Sequence, residues 1–460
     1  MIKKSDAELI LSCALRTGGD FAEIFAEDVN AGSIGLLDGR IEAANRSHTR
    51  GAGIRVFRGT ASVYAYTNDM SPEGMLSTAR QAAAALGQAK EDGAPVVLYN
   101  AVARNIHRID RFAGDVEGKK KADVLYLANS TARKVSDEIV QVSAGITDNQ
   151  QHVLIANTEG LYVHDTRTYT RLRITAVAAS GAENQTGTAS PGAHAGYEFI
   201  EGLDIEALAK KAGNTAVTML HAKPCPAGVM PVVIENGFGG VIFHEACGHA
   251  LEATSVGRNC SVFCGKLGQK IAADCVTAVD DGTIPNAWGS INIDDEGQPA
   301  QRKVLIENGV LKGYMIDRLG SRRMGMPMTG SGRRQDYTYA PTSRMTNTFI
   351  CAGNDDNEEM IATMGDGLYA AQMGGGSVNP VTGEFNFAVN EGYLVRDGKI
   401  AEPVRGATLI GKGAEILMKI DRVGDNLLTA QGVCGSMSGS VRTDVGQPRL
   451  RVSSITVGGR

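Results

Sequence analysis

Positive charge is not in surplus in this chain: 46 lysines and arginines face 51 aspartates and glutamates, a formal net charge of −5. A phosphate backbone needs a basic field to hold it, so direct nucleic-acid binding is excluded as the expected role. Long apolar runs are missing too. No stretch approaches the ~18 apolar residues of a membrane span, and Met1-Ile2-Lys3-Lys4 leads into Ser5-Asp6-Ala7-Glu8 instead of an apolar signal core. The expectation is a cytoplasmic protein with no membrane partner. Short paired cysteine spacings are likewise absent. The eight cysteines, at 13, 225, 247, 260, 264, 275, 351 and 434, form neither a disulfide framework nor a zinc ribbon, and reduced thiols are the default in a cytosolic chain. Cys260 and Cys264 lie four apart, but no second pair completes a clip. Histidine is scarce, eight in 460 residues, which makes two of them beside one glutamate informative.

Those two fall in His244-Glu245-Ala246-Cys247-Gly248-His249, at the end of an apolar run. In the common H-E-x-x-H zinc motif the histidines sit at i and i+4 on one helix face, with the glutamate as general base. Here the spacing is i and i+5. On a regular α-helix five residues turn through about 500°, leaving the rings about 140° apart. A π-type turn brings them back to one face. The sequence therefore predicts a bulged or broken helix at 246–248, with Gly248 absorbing the distortion. The competing reading is two unrelated histidines on a buried helix. Zinc held by two neutral imidazoles and one further ligand keeps a fourth position for water, whose pKa falls toward ~7. Glu245 would then act as general acid/base in amide hydrolysis. The third ligand stays open at this point: Glu252 on the same segment, a downstream carboxylate, or a thiolate such as Cys434 in the glycine-flanked Gln431-Gly432-Val433-Cys434-Gly435-Ser436. Cys247 reads as a core residue, because its helical direction points away from the ion.

Along the chain, Ser5 and Glu8 read as the capping box of a helix over 5–17. Alternating segments at 21–26, 33–37, 54–57 and 61–66, separated by glycine turns, predict an antiparallel meander. Ser71-Pro72 opens a second helix. The order then repeats, with a helix over 119–137, strands near 139–146, 152–156 and 161–180, and a helix over 204–221. Beyond Lys223-Pro224-Cys225-Pro226 the composition changes: 36 of the 57 glycines fall in 221–460, punctuating short strands. The expected fold class is α+β. N-terminal helix and antiparallel-sheet regions over 1–105 and 106–222, separate or merged as one unit, precede a glycine-rich, β-rich C-terminal domain over 223–460 that carries the distorted metal-binding helix. Gly374-Gly375-Gly376 lacks the lysine and strand-to-helix context of a phosphate loop, and reads as close backbone approach lining a cleft or as a plain turn.

The string from His244 to Glu252 resembles the H-E-x-x-x-H segment of the TldD/PmbA family of metallopeptidases. Further stretches agree with it: Ile293-Asp294-Asp295-Glu296-Gly297, Leu305-Ile306-Glu307-Asn308-Gly309, Gly332-Arg333-Arg334, Arg344-Met345-Thr346-Asn347-Thr348, Gly406-Ala407-Thr408-Leu409-Ile410-Gly411 and Val445-Gly446-Gln447-Pro448. Because the PmbA/TldE-like branch lacks the histidine motif, the chain resembles the TldD-type catalytic branch. That resemblance implies zinc held by His244, His249 and Cys434, with Glu245 as general acid/base. It also implies a cytoplasmic peptidase acting on unfolded or short polypeptides, and a dimer, with itself or with a TldE/PmbA-like paralogue. An extended substrate could add a strand to a sheet edge. Arg333, Arg334 and Arg344 are then candidates for holding a peptide carboxylate or carbonyl, with salt bridges as the competing role. Gly374 and Gly375 are candidates for lining the substrate cleft. Tyr337 and Tyr339, alternating about Thr338 as in a strand, are candidates for supporting an oxyanion, with packing as the competing role. The alternative to an enzyme is a peptide-binding or scaffold subunit with a structural metal.

Overall fold

The computed structural model describes residues 1–87, 94–379 and 382–459. Its N-terminal half is organised by a hairpin longer than the residue pattern announces. Strand β1 (Phe21–Leu37) turns at Asp38-Gly39, both at positive φ (48° and 78°), and returns as β2 (Arg40–Arg58). An Asp-Gly pair with both φ positive matches the twist of the flanking strands. The segments expected at 21–26, 33–37 and 54–57 are parts of these two continuous strands. Residues 42–50 of β2 are exposed, so no apolar alternation marked the outer half of the hairpin.

Strands β3 (Ala61–Thr67), β4 (Tyr99–Val102), β5 (Ile139–Asn157), β6 (Leu161–Ser180), β7 (Glu183–Ala189) and β8 (Gly192–Ala193) complete one sheet. Its order is β3-β2-β1-β5-β6-β4, with β7 and β8 also on β6. Strand β1 pairs with β5 from Glu23↔Asn157 to Leu37↔Ser143, so the two N-terminal regions share a sheet. The period of two gives that sheet two different faces. Ile24, Ala26, Leu154 and Ala156 meet the helices α1 (Lys4–Ala14) and α2 (Pro72–Leu86), while Ile34, Ile146, Leu172 and Ile174 meet α3 (Gly118–Arg133) and α4 (Ile205–Leu220). Phe25, Val153 and Ile155 point the other way and pack on Ile293 of the C-terminal half.

Two helix starts follow from their sequence. Ser71 Oγ accepts from Gly74 N at 3.1 Å with Pro72 behind it, and Asp204 Oδ1 accepts from Ala207 N at 2.9 Å. The expected capping box at Ser5 and Glu8 does not form. Lys3 is the cap residue of α1, without a side-chain bond, and Glu8 Oε1 accepts instead from Leu98 N at 3.0 Å.

In the C-terminal half, the strands Gly367–Val378, Gly228–Ile234, Leu450–Gly458, Thr408–Lys412 and Glu384–Arg396 pair in that order. The last returns to pair with the first, which closes a five-stranded barrel. A six-stranded sheet runs Val310–Leu311, Arg302–Glu307, Ala278–Asp281, Asn347–Ile350, Gly439–Gln447 and Leu428–Ser436. One core joins them: Val232, Phe387 and Leu409 of the barrel and Ile306, Ile350 and Val445 of the sheet share it with Phe243, Ala246 and Cys247. The expected α+β class with a β-rich C-terminal half is what the chain adopts, and the histidine-bearing segment sits between barrel and sheet. Buried ion pairs tie the halves together, among them Arg55 to Glu296 at 2.8 Å and Arg167 to Asp295 at 2.6 Å. No helix among the described residues is long and apolar enough to cross a membrane.

Candidate metal centre

The segment that carries the histidines changes helix type three times. Gly237–Gly240 is a 3-10 turn, Val241–Phe243 is α-helical, His244–Gly248 winds as a π-turn, and His249–Leu251 ends in a second 3-10 turn. The π-turn gives the i, i+5 spacing its geometry: the two imidazole centroids lie 5.3 Å apart with their planes at 86°. Gly248 serves a different purpose from the one expected. Its φ of −54° and ψ of −52° suit any residue; what it provides is room, because a Cβ there would overlap Met345 Sδ.

Cys434 reaches the pair from the edge strand Leu428–Ser436. Its Sγ lies 3.1 Å from His249 Nε2. One ligand atom each from His244, His249 and Cys434 falls within 4.8 Å of the others, and this is the one such group of His, Cys, Asp or Glu found among the described residues. Burial would raise the Cys434 thiol, but the imidazoles of His244 and His249 outweigh it and hold the sulfur at about 3, a thiolate at neutral pH. Burial would lower His249; the Glu252 carboxylate and the Cys434 sulfur hold it well above its ordinary value instead. Nδ1 of His244 is buried without a hydrogen-bond partner. Two imidazoles, a thiolate and an orphaned buried ring nitrogen make a nitrogen-sulfur donor set, and these residues fit a divalent metal of the zinc type.

Glu245 stands on the open side. Its Oε2 is 3.6 Å from His249 Nε2, and its side chain is 25% exposed where that of His249 is 12%. Glu252 lies on the opposite edge of the His249 ring, with Oε2 3.2 Å from Nδ1. Cys247 is fully buried in the core, and burial pushes its thiol up.

Three family profiles match in succession: the PmbA/TldA metallopeptidase domain 1 over residues 22–86, the central domain over 113–220 and the C-terminal domain over 227–459. The chain belongs to the TldD/PmbA metallopeptidase family. A metalloprotease TldD homolog of Haemophilus influenzae is 38% identical over 454 residues, 96% of this chain and 93% of that one. A metalloprotease of Methanothermobacter thermautotrophicus is 33% identical over 445 residues, 96% of each chain. Among solved structures, TldE from Thermococcus kodakarensis superposes with a TM-score of 0.78 at 19% identity, over 99% of this chain and 100% of that one. A putative modulator of a DNA gyrase from Thermotoga maritima gives 0.78 at 24% identity over 99% of both. At those identities the two structures speak for the fold alone.

The other residues singled out in this TldD/PmbA chain have partners of their own within the fold. Arg333, Arg334 and Arg344 are all buried. Arg333 Nη1 donates to the Met345 carbonyl, and Arg334 Nη2 donates to the Asp295 carbonyl at 2.9 Å, with its guanidinium 4.2 Å from the Phe25 ring centroid. Arg344 donates to the carbonyls of Cys434 and Gly439 and to Ser438 Oγ. Their donors face inward, onto groups of the chain itself. Gly374 and Gly375 lie in a bulge of the strand Gly367–Val378, between the pairs Met373↔Val389 and Gly376↔Phe387. Gly374 is buried where a Cβ would overlap Asn390 Oδ1, and Gly375 is exposed with open space beside it.

Tyr337 and Tyr339 are in a turn, not a strand, because Asp336 Oδ1 accepts from both Thr338 N and Thr338 Oγ1. Tyr337 packs against the N-terminal sheet: its carbonyl accepts from Tyr64 Oη at 2.6 Å, and its ring fills the space beside Gly51. Glu252 appeared in the sequence only as a possible ligand. Its distance of three residues from His249 was the available sign that it would meet the ring's other nitrogen.

Proposed function

We propose that this chain is a zinc-dependent peptidase that hydrolyses amide bonds of unfolded or short polypeptides in the cytoplasm. His244, His249 and Cys434 hold the zinc, and Glu245 acts as general acid/base. Bound there, zinc supplies Lewis acidity that polarises a carbonyl and acidifies water. The observation that carries the reading is the pairing of a buried thiolate and two imidazoles with one partly exposed carboxylate on the same side. From its position next to His249 Nε2, Glu245 can take a proton from water through Oε2 and return it to the departing amine. The buried walls, His244 and Cys434 above all, exclude bulk water from the rear of the site.

An extended chain is the substrate form that suits a site sunk between a barrel and a sheet. Strand addition directly on the edge strand Leu428–Ser436 is closed at two carbonyls, because Gly432 O accepts from Trp288 Nε1 at 2.8 Å and Cys434 O accepts from Arg344 Nη2. A substrate therefore approaches from the Glu245 side. The exposed Val433 and Met437 flank Cys434. They suit a partner of the same fold, a second copy or a TldE/PmbA-like paralogue, completing the chamber.

The test is Glu245→Gln, which keeps the shape of the side chain and removes the base. Hydrolysis of an unstructured peptide mixture should fall by about 10²–10⁴-fold, the worth of a general base, while zinc content by mass spectrometry stays near that of the parent. Unchanged hydrolysis would remove Glu245 from the chemistry. A parent that holds zinc but hydrolyses nothing would favour a scaffold subunit with a structural metal, and a parent with no zinc would overturn the mechanism.

A further inference from the structure

We propose that Glu252 and Arg344 are positioning residues that hold His249 and Cys434 at their mutual distance before any metal arrives. The proposal rests on the zinc-peptidase reading above. His249 and Cys434 are 185 residues apart in the chain. One follows a π-turn and the other sits on an edge strand, so no local hydrogen-bond pattern fixes the gap between them.

A buried pair of opposite charges spans that gap. Glu252 Oε2 stands 3.2 Å from His249 Nδ1, while Cys434 Sγ stands 3.1 Å from Nε2 of the same ring. With Nδ1 turned to the carboxylate, Nε2 is the ring nitrogen that faces the sulfur, and it is the one that would give its lone pair to a metal. Glu252 is itself anchored. Its backbone bridges to Met315, and Ala253 N donates to the Met315 carbonyl at 2.8 Å. Its second oxygen, Oε1, faces Arg344 Nε at 3.9 Å, and both atoms are buried with no hydrogen-bond partner.

Arg344 is fully buried and carries the link to the other ligand. Nη2 donates to the carbonyl of Cys434, and Nη1 donates to Ser438 Oγ at 3.0 Å and to Gly439 O at 2.8 Å. One planar guanidinium thus grips the backbone of the thiolate residue and its hairpin turn on one side, and on the other faces the carboxylate behind the imidazole at 3.9 Å. A lysine ammonium is a point charge on a flexible stem and cannot reproduce that fork. An ion pair that served folding alone would have no need to stand between two ligands of one centre.

The experiment uses the full chain stripped of metal, with Zn(II) as the probe and a chromophoric chelator as competitor. Glu252→Gln and Arg344→Lys should each weaken zinc binding by about 10–100-fold, the size expected when a partner behind a metal ligand is lost. Glu252→Asp, which keeps a carboxylate in the same cavity, should retain an intermediate affinity. Thermal unfolding of the metal-free variants separates this from a folding defect: the affinity loss should exceed anything their unfolding midpoints explain. Zinc affinities of Glu252→Gln and Arg344→Lys equal to the parent's, with His249→Ala unable to bind, would overturn the positioning role and leave the metal site standing. A parent that binds no zinc would overturn the underlying reading and this proposal with it.

Discussion

His107 and His194 stack with ring centroids 3.5 Å apart and planes 17° from parallel, and Nε2 of each ring is buried without a partner. His107 comes from the segment between the two halves of the N-terminal sheet, and His194 follows β8. Both meet the C-terminal loop around Asn286, whose N–H reaches His107 Nδ1 at 3.1 Å, and Ser290, whose carbonyl is 3.1 Å from His194 Nδ1. Burial pushes His107 down to about 4 and His194 well below its ordinary value. Both rings are therefore neutral at pH 7.

That pair should make the contact acid-labile. An imidazole whose folded pKa is depressed binds fewer protons in the native chain than in the unfolded one, so its contribution to stability shrinks as pH falls from about 6.5 toward about 4. Glu27, raised to about 7 mainly by burial, acts in the opposite sense over the same window. The useful quantity is thus a difference: urea midpoints of the parent and of His107→Gln, compared at pH 7 and pH 4.5. The parent should lose more stability than the variant on acidification, and equal losses would exclude the stack as the acid-sensitive element.

The contact of Gly248 with Met345 yields a second prediction. Alanine is the better helix former by about 1 kcal/mol, yet Gly248→Ala should destabilise the protein, because forcing a methyl into a filled core costs about 1–3 kcal/mol. Met345 is fully buried and cannot swing out to solvent. Pairing Gly248→Ala with Met345→Ala in a double-mutant cycle should give a total loss smaller than the sum of the singles, read by chemical denaturation. Additive losses would show that the glycine is needed for something other than room.

How far the sequence foretold this arrangement depends on the range of the interactions. The i, i+5 histidines announced the π-turn because helical geometry is local, and Ser71-Pro72 announced its helix for the same reason. Strand β6 was legible at both ends, since apolar and turn residues bound it. The hairpin of β1 and β2 was not, because its outer half is solvated and shows no alternation. Arg333, Arg334 and Arg344 read as candidates for holding a substrate, with surface salt bridges as the competing role. Their partners are carbonyls, rings and carboxylates up to hundreds of residues away, and burial of that kind leaves no trace in spacing. Cys434 was one thiol among eight until resemblance singled it out; its glycine flanks alone did not decide between ligand and core.

Cys434 offers a direct chemical readout. Held near 3 by the two imidazoles, its sulfur in the metal-free chain should stay a thiolate at pH 5, where ordinary thiols with pKa about 8.5 are protonated. Thiolate ultraviolet absorbance at pH 5 should therefore be present in the parent and absent in Cys434→Ser. Zinc should protect the residue from alkylation and the chelator should restore its reactivity. No absorbance difference between parent and variant at pH 5 would mean that the imidazoles do not hold the sulfur ionised.

The joint between the two halves is held by buried charge. Arg55 Nη1 lies 2.8 Å from Glu296 Oε1 and 3.6 Å from Glu23 Oε1, with all three side chains at most 2% exposed. Removing the guanidinium in Arg55→Ala takes the paired cation from Glu296 and leaves it facing Glu23, which keeps Arg334 Nη2 at 3.7 Å, and breaking a buried pair in this way costs about 3–5 kcal/mol. The loss should depend on pH. Burial, and then the Glu23 charge, already hold Glu296 well above the ordinary carboxylate range, and without Arg55 it moves higher. A carboxyl with a raised folded pKa stabilises the fold while protonated and loses that contribution as pH rises through the folded value. Arg55→Ala should accordingly lie closer to the parent at pH 5 than at pH 8. Adding Glu296→Gln should recover part of the loss at pH 8, since the amide carbonyl can still accept from Arg318 N, now 2.7 Å from Glu296 Oε2. Denaturation midpoints of the single and double variants at both pH values decide the matter, and a loss independent of pH would locate the cost of Arg55→Ala in lost packing against Phe57, whose ring centroid is 4.5 Å from the guanidinium.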